Sequence, residues 1–362
     1  MSIAKFFTPV SGRVIVIHVT QGRRAERLPL ATFCRASGAS WILSRTRIMN
    51  HSLTIALLLV TLTTSVLVVP ATAASNTQVK KPPAEFVDRP APQVSPETRK
   101  EMEARLDEAR RRFKAKPMDP GARIWLGRRL AYLGHFGDAI EVYSEGIKKF
   151  PWDARFYRHR GHRYITLRKF DLAIADFEKA ARLIKGKPDE AEPDGQPNVR
   201  NIPTSTLHFN IWYHLGLAYY LAGQNQRALN SYRRCLEVSK NPDSLVATSH
   251  WLYMTLRRMN RAREAAKVLE PIREGMEIIE NDGYYRLLLM YKGSVSPENL
   301  LAETSKQAES PGSNSILYGI GNWYLYNGRR DEASKVFRQM VGGDQWTSFG
   351  YIAAEADLKR RA

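Results

Sequence analysis

GHFGDAIEVYSEGIKKFP, residues 134–151, returns as RKFDLAIADFEKAARLIK, residues 168–185, with an alanine and an aromatic at matching places. Ala139 recurs as Ala173, Tyr143 as Phe177 and, upstream, Gly127 as Gly161, each after 34 residues. A fixed interval carried by small and aromatic residues spaces structural units; none of these landmarks is a nucleophile or a metal ligand. Each unit divides into two helical stretches, RIWLGRRLAYL and DAIEVYSEGIKKF, parted at Gly134 and ended by Pro151. Helices joined by a short turn pack antiparallel, and a small residue on each lets the backbones approach. The aromatic one turn beyond the alanine is expected to fill the space where the next repeat stacks. Gly134, Gly223 and Gly328 stand where a first helix closes in a left-handed residue.

The third copy, FNIWYHLGLAYYLAGQNQRALNSYRRCLEV, holds Trp212, Leu215, Gly216, Tyr219, Gly223, Ala228 and Tyr232 in the same order. A last copy repeats it 105 residues later with Gly321, Tyr324, Gly328, Ala333 and Phe337, leaving room for two weaker copies between. The fourth keeps Leu252, Ala265 and Leu269 but has Tyr253 where glycine is expected, and the fifth, from Tyr284, keeps little beyond a helical period. Gly161 and Gly216 are 55 residues apart, so 21 residues are inserted at 186–206, in a stretch rich in Pro, Asp, Glu and Gly that reads as a surface loop. These landmarks resemble the tetratricopeptide repeat family, whose repeat has this length and this succession of Trp, Leu-Gly, Tyr, Ala and Phe/Tyr. The resemblance implies an all-α, right-handed α-solenoid of about six helix pairs over 120–347. An amphipathic helix at 95–116, with Met102, Leu106, Ala109 and Phe113 on one stripe, precedes it. A helix at 347–361, with Phe349, Ile352, Ala353 and Ala356 on one face and its charges elsewhere, caps its end.

The remainder of the chain is an address. LTIALLLVTLTTSVLVV, residues 53–69, is free of charge and is followed by Ala71-Thr72-Ala73, which fits a secretory apolar core with its cleavage site. The N-terminal extension and signal thus take residues 1–74, with Met49 an alternative start, and a Pro-rich linker takes 75–94. The body is expected in the periplasm or secreted. An uncleaved anchor at 53–69 would still hold it outside the cytoplasm, and would be its only membrane contact.

Lys and Arg total 55 against 36 acids, a net charge of +19, which favours anionic partners. Cys34 and Cys235 cannot make a disulfide framework, and Cys235 sits where other repeats carry small or apolar residues, so it reads as a buried thiol. His159 and His162 lack a third ligand at metal spacing, and the Gly-x-Gly of GIGNWYLYNG lies inside a repeat helix rather than after a strand. No catalytic residue, cofactor or metal is therefore assigned. The function implied is a non-enzymatic scaffold for a protein or peptide. In the resembling family, first helices line the concave groove. Taking five positions around each small landmark gives a groove that is basic and aromatic and carries no acid. It includes Arg128, Tyr132, Arg155, Arg158, His162, Tyr213, His250, Arg257, Arg258, Tyr318 and Asn322. Arginine forks would hold carboxylates while tyrosines pack an apolar stem, so the expected ligand is an acidic segment. The alternative is an anionic polymer, an envelope glycan or nucleic acid, with nucleic acid disfavoured; no small-molecule substrate is expected. If the signal is cut, N-terminal sequencing of the native protein will start close to Ala74; retention of 50–70 would mean anchoring.

Overall fold

The computed structural model describes residues 91, 94–196, 198, 200–306 and 310–360. The extension, the 53–69 run, the cleavage site and nearly all of the 75–94 linker lie outside the described residues. Among the described residues are fourteen helices and no strand. Helix α1 (Pro96–Ala115) comes first, and the pairs follow: α2 (Pro120–Tyr132) with α3 (Phe136–Lys149), α4 (Ala154–Thr166) with α5 (Phe170–Ile184), and α6 (Leu207–Leu221) with α7 (Asn225–Val238). Three more are α8 (Pro242–Arg258) with α9 (Ala262–Val268), α10 (Asp282–Lys292) with α11 (Pro297–Ser305), and α12 (Pro311–Tyr326) with α13 (Arg330–Val341); α14 (Phe349–Lys359) closes the stack. Each pair packs on the next, giving an all-α solenoid. No helix among the described residues is long and apolar enough to cross a membrane.

Most first helices open on a side-chain cap. Asp119, Asp153, Thr206, Asn241 and Ser310 each accept a backbone N–H of the first turn, which settles donors the helix itself leaves free. All six pairs then turn through one left-handed residue: Gly134 (φ 85°), Arg168 (57°), Gly223 (76°), Asn260 (57°), Gly293 (89°) and Gly328 (83°). This places the fifth repeat, whose landmarks are weak. Its second helix begins later after the turn, and fully buried Leu300 with nearly buried Thr304 stand where other repeats carry alanine and an aromatic.

The aromatic landmark meets the next repeat as expected, Tyr143 stacking on His159 at 5.6 Å and Phe177 on His214 at 5.7 Å. Its ring also lies on the glycine of its own repeat. A methyl placed on Gly127 would come 2.4 Å from Tyr143, on Gly161 2.9 Å from Phe177, on Gly216 2.6 Å from Tyr232 and on Gly321 2.5 Å from Phe337. The two helices of a pair thus close ring against backbone, burying four rings at 1% exposure or less. In the fourth repeat the bulk is exchanged: Tyr253 replaces the glycine and Leu269 the ring, and Tyr253 stacks at 4.4 Å on Tyr291 of the next repeat.

Substituting leucine for Gly216, or for fully buried Ala228, should lower unfolding free energy in urea by about 1–3 kcal/mol through overpacking. Gln226→Leu, exposed on the same second helix, should stay within about 0.5 kcal/mol. Equal losses in all three would refute this register.

Candidate functional site: the inner wall

The expected residues stand on first helices in three groups, but Arg158, Tyr213, His250, Tyr318 and Asn322 are buried by packing against neighbouring repeats and caps and do not lie open on a groove. Under the insertion loop, the Arg128 guanidinium lies 4.4 Å over the Trp125 ring, donates to the Pro193 carbonyl at 2.8 Å and to the Tyr132 hydroxyl at 3.3 Å. Arg158 is buried beside it, 3.0 Å from Glu192. Arg155 stands at the rim, its side chain 38% exposed, forked onto the Asp153 cap at 2.6 Å. In the middle of the wall, His162 packs 4.7 Å from His214 and 5.3 Å from Phe349. Tyr213 donates to the Tyr284 hydroxyl at 3.2 Å, and His250, fully buried, stacks 4.7 Å from Tyr284 and shares a hydrogen bond with Tyr291. Farther on, Arg258, Tyr318 and Asn322 converge. Arg258 donates to Asn322 at 2.6 Å and to Asp357 at 2.7 Å, while Tyr318 donates to Asp357 at 3.0 Å. Arg257 binds Tyr253 and Asn327, both at 3.1 Å.

Sequence reasoning missed the carboxylates that meet this wall. Asp357, counted among the solvated charges of the cap, is 2% exposed, because α14 crosses from the last repeat to Arg258 and also touches α6. Glu355 reaches Arg168 at 2.8 Å, and the same guanidinium donates to the Trp346 carbonyl at 2.8 Å. Arg168 occupies the left-handed turn position where four repeats have glycine and one asparagine, an unfavourable backbone for arginine. That exception was the available signal. The insertion is likewise more than a surface loop: Glu192 is buried between Arg158 and Asn210, and the Gly195 carbonyl accepts from Arg129 at 2.7 Å. A buried acid paired to a wall arginine fixes the loop over α2 and α4.

Electrostatics follow from this burial. For the Asp357 carboxyl, burial works upward, but the charges and hydrogen bonds of Arg258 and Arg360 outweigh it and leave it below the ordinary range. Burial pushes the His214 imidazole down to about 3, with Arg158 adding to the fall, and burial alone brings His250 to about 3. Cys235 is fully buried against Thr248 at 3.2 Å, and burial lifts its thiol to about 12. Among the described residues no group of His, Cys, Asp and Glu could hold a metal ion.

Tetratricopeptide repeat family models match residues 126–191 and 209–242. Over those residues the chain is similar to tetratricopeptide repeats, a family of protein-interaction scaffolds that is generally non-catalytic. It is similar to small glutamine-rich tetratricopeptide repeat-containing protein 2 of Saccharomyces cerevisiae, 27% identical over 28% of this chain and 23% of that protein. It is also similar to anaphase-promoting complex subunit 3 of Schizosaccharomyces pombe, 23% identical over 38% of this chain and 17% of that protein. The chain spans less than a quarter of either relative. Among solved structures, YrrB, described as a TPR protein with an unusual peptide-binding site, overlaps 70% of this chain and 99% of its own at 16% identity and a TM-score of 0.37. An overlap that loose carries no argument about the wall.

The buried histidines set a pH dependence. An unfolded imidazole takes its proton near pH 6.5, and His214 and His250 only near 3, so below about 6.5 the unfolded chain binds more protons and stability is lost as pH falls. At pH 5 each should cost about 2 kcal/mol relative to pH 7. Urea midpoints measured from pH 7 to 5 should fall, and His214→Phe should remove about one proton from the slope. An unchanged slope would assign the dependence elsewhere.

Proposed function

We propose that this chain is a non-enzymatic interaction scaffold, exported from the cytoplasm, that captures an acidic segment of a protein or peptide on its inner wall. The observation that carries the reading is the seating of Glu192, Glu355 and Asp357. These carboxylates come from two separate segments of the same chain and are held by Arg158, Arg168 and Arg258 at 3.0, 2.8 and 2.7 Å. A wall that gathers its own carboxylates through charge-assisted forks has the chemistry to gather a partner's. The entry is a cleft of about 220 Å³ under the insertion loop, between Trp125, Arg128 and Arg155, with Glu190 and the Arg158-paired Glu192 on its loop side. There a partner's acid meets Arg128, now held by a carbonyl and a phenol and stacked, like Arg129, on the Trp125 indole. Export rests on the 53–69 run. The second reading, an anionic polymer, is favoured by the net charge of +19.

Anisotropy of a labelled Asp/Glu-rich decapeptide tests the proposal, with its Asn/Gln counterpart and a heparin oligosaccharide measured beside it. The acidic peptide should bind at least about tenfold tighter than its amide form. Arg128→Glu with Arg155→Glu should abolish this while circular dichroism is unchanged; Arg158 is left intact because reversing it would strand Glu192. Equal binding of the amide form, or indifference to the double variant, sinks the acidic-segment reading. Heparin binding that collapses between about 50 and about 300 mM salt, without the peptide, would establish the polymer instead.

A further inference from the structure

We infer a second binding surface on the outer face of the solenoid, fitted to an amphipathic helix with acidic flanks. A cleft of about 820 Å³ runs between α5 and α7, the second helices of repeats two and three, and its floor is the outward side of α6. The floor is apolar: Ala181, Ile184, Leu215 and Val238 surround half-buried Trp212. Trp212 is the repeat landmark that the inner wall does not use. The rim is cationic. Arg182, Lys185 and Lys187 stand on one bank and Arg227 and Arg234 on the other; Glu178, near Arg182 at 4.0 Å, and Glu237, 3.1 Å from Arg234, offset part of this charge and leave a cationic excess. Glu178 is committed within the cleft, accepting from Arg227 at 3.1 Å and from the Tyr219 hydroxyl. At Ile184, Lys187 and His208 the cleft meets a second of about 640 Å³ that runs toward Arg155, and at whose edge Trp152 is 72% exposed beneath the Lys179 ammonium at 5.2 Å.

Charge and shape together select the occupant. Cations on both banks and an apolar floor call for a ligand with one apolar stripe and carboxylates to either side, which is an acidic amphipathic helix laid in a furrow. The furrow is bounded by helices of 15 and 14 residues, so it accepts a helix of roughly four turns, ~20 Å long. A sugar polyanion would leave the aliphatic floor of Ala181, Ile184, Leu215 and Val238 without a counterpart. A protein segment therefore fits better. Its chemistry resembles that expected on the inner wall, but its banks are second helices and it uses the opposite side of α6, so it does not depend on that reading.

Phage-displayed random 16-residue peptides, selected on the full chain, test this. Arg182→Glu with Arg234→Glu serves as counter-selection. Both side chains are largely exposed, at 67% and 63%, so the fold should be kept, with circular dichroism as the check. Enriched peptides should carry apolar residues at i, i+3 or i+4 and i+7, flanked by Asp or Glu. They should bind the wild-type chain at least about tenfold tighter than the variant. Trp152→Ala should weaken them, and the acidic decapeptide of the inner wall should not compete. The inference is overturned if no peptide is enriched, if enriched peptides lack acids, or if affinity ignores the arginine reversal. Competition by that decapeptide would return the binding to the inner wall, and heparin retention abolished by the same reversal, with no peptide enriched, would make the face a polymer site.

Discussion

A ring pressed on a glycine holds each of the well-formed repeats together. Tyr143, Phe177, Tyr232 and Phe337 lie against Gly127, Gly161, Gly216 and Gly321, where even a methyl would collide. Removing a large ring from water is worth about 1.5–3 kcal/mol, and the missing side chain lets it approach the backbone of the partner helix. This contact sets the spacing within a pair, and so where each first helix presents its inner face. The fourth repeat shows the constraint by inverting it. With Tyr253 in the glycine's place and Leu269 in the ring's, the bulky side chain is accommodated by stacking on Tyr291 of the neighbouring repeat.

The wall that results is crossed by its own chain. Arg258 binds Asp357, Arg168 binds Glu355 and the Trp346 carbonyl, and Phe136 meets Trp346 edge-on at 5.7 Å. The C-terminal segment thereby ties the last repeat to the first, second and fourth, and the insertion does the same locally through Arg158 and Glu192. Buried ion pairs add little net stability, since desolvation offsets attraction, yet losing one partner is costly. They act here to specify which segments lie over the wall. An inner face so occupied leaves the edge near Arg128 and Arg155 as its accessible part. The outer furrow around Trp212 is shaped by second helices, which the braces leave alone.

Much of the architecture could be read before any coordinate. Gly127, Ala139 and Tyr143 recur because helix pairs must close, and a closing geometry constrains residue size at a fixed period. The fifth repeat resisted because Leu300 and Thr304 serve where alanine and an aromatic usually do, so only the left-handed Gly293 marks it. The expected wall residues do stand on first helices, yet Arg158, Tyr213, His250, Tyr318 and Asn322 are buried there. Their surroundings were not legible: Tyr213, His250 and Tyr318 meet Tyr284, Tyr291 and Asp357 from repeats or caps tens of residues away.

Residue size and period, acting within 34 residues, determined the helix pairs, their turns and the order in which they stack. Those are local constraints, and a linear sequence records them. What covers the inner wall was decided only by tertiary structure, because small rotations accumulated over six pairs bring α14 to Arg258 and Arg168 and bring Glu192 to Arg158. An acid such as Asp357 looks solvated in its own helix, and becomes the buried partner of an arginine 99 residues away once the solenoid has turned.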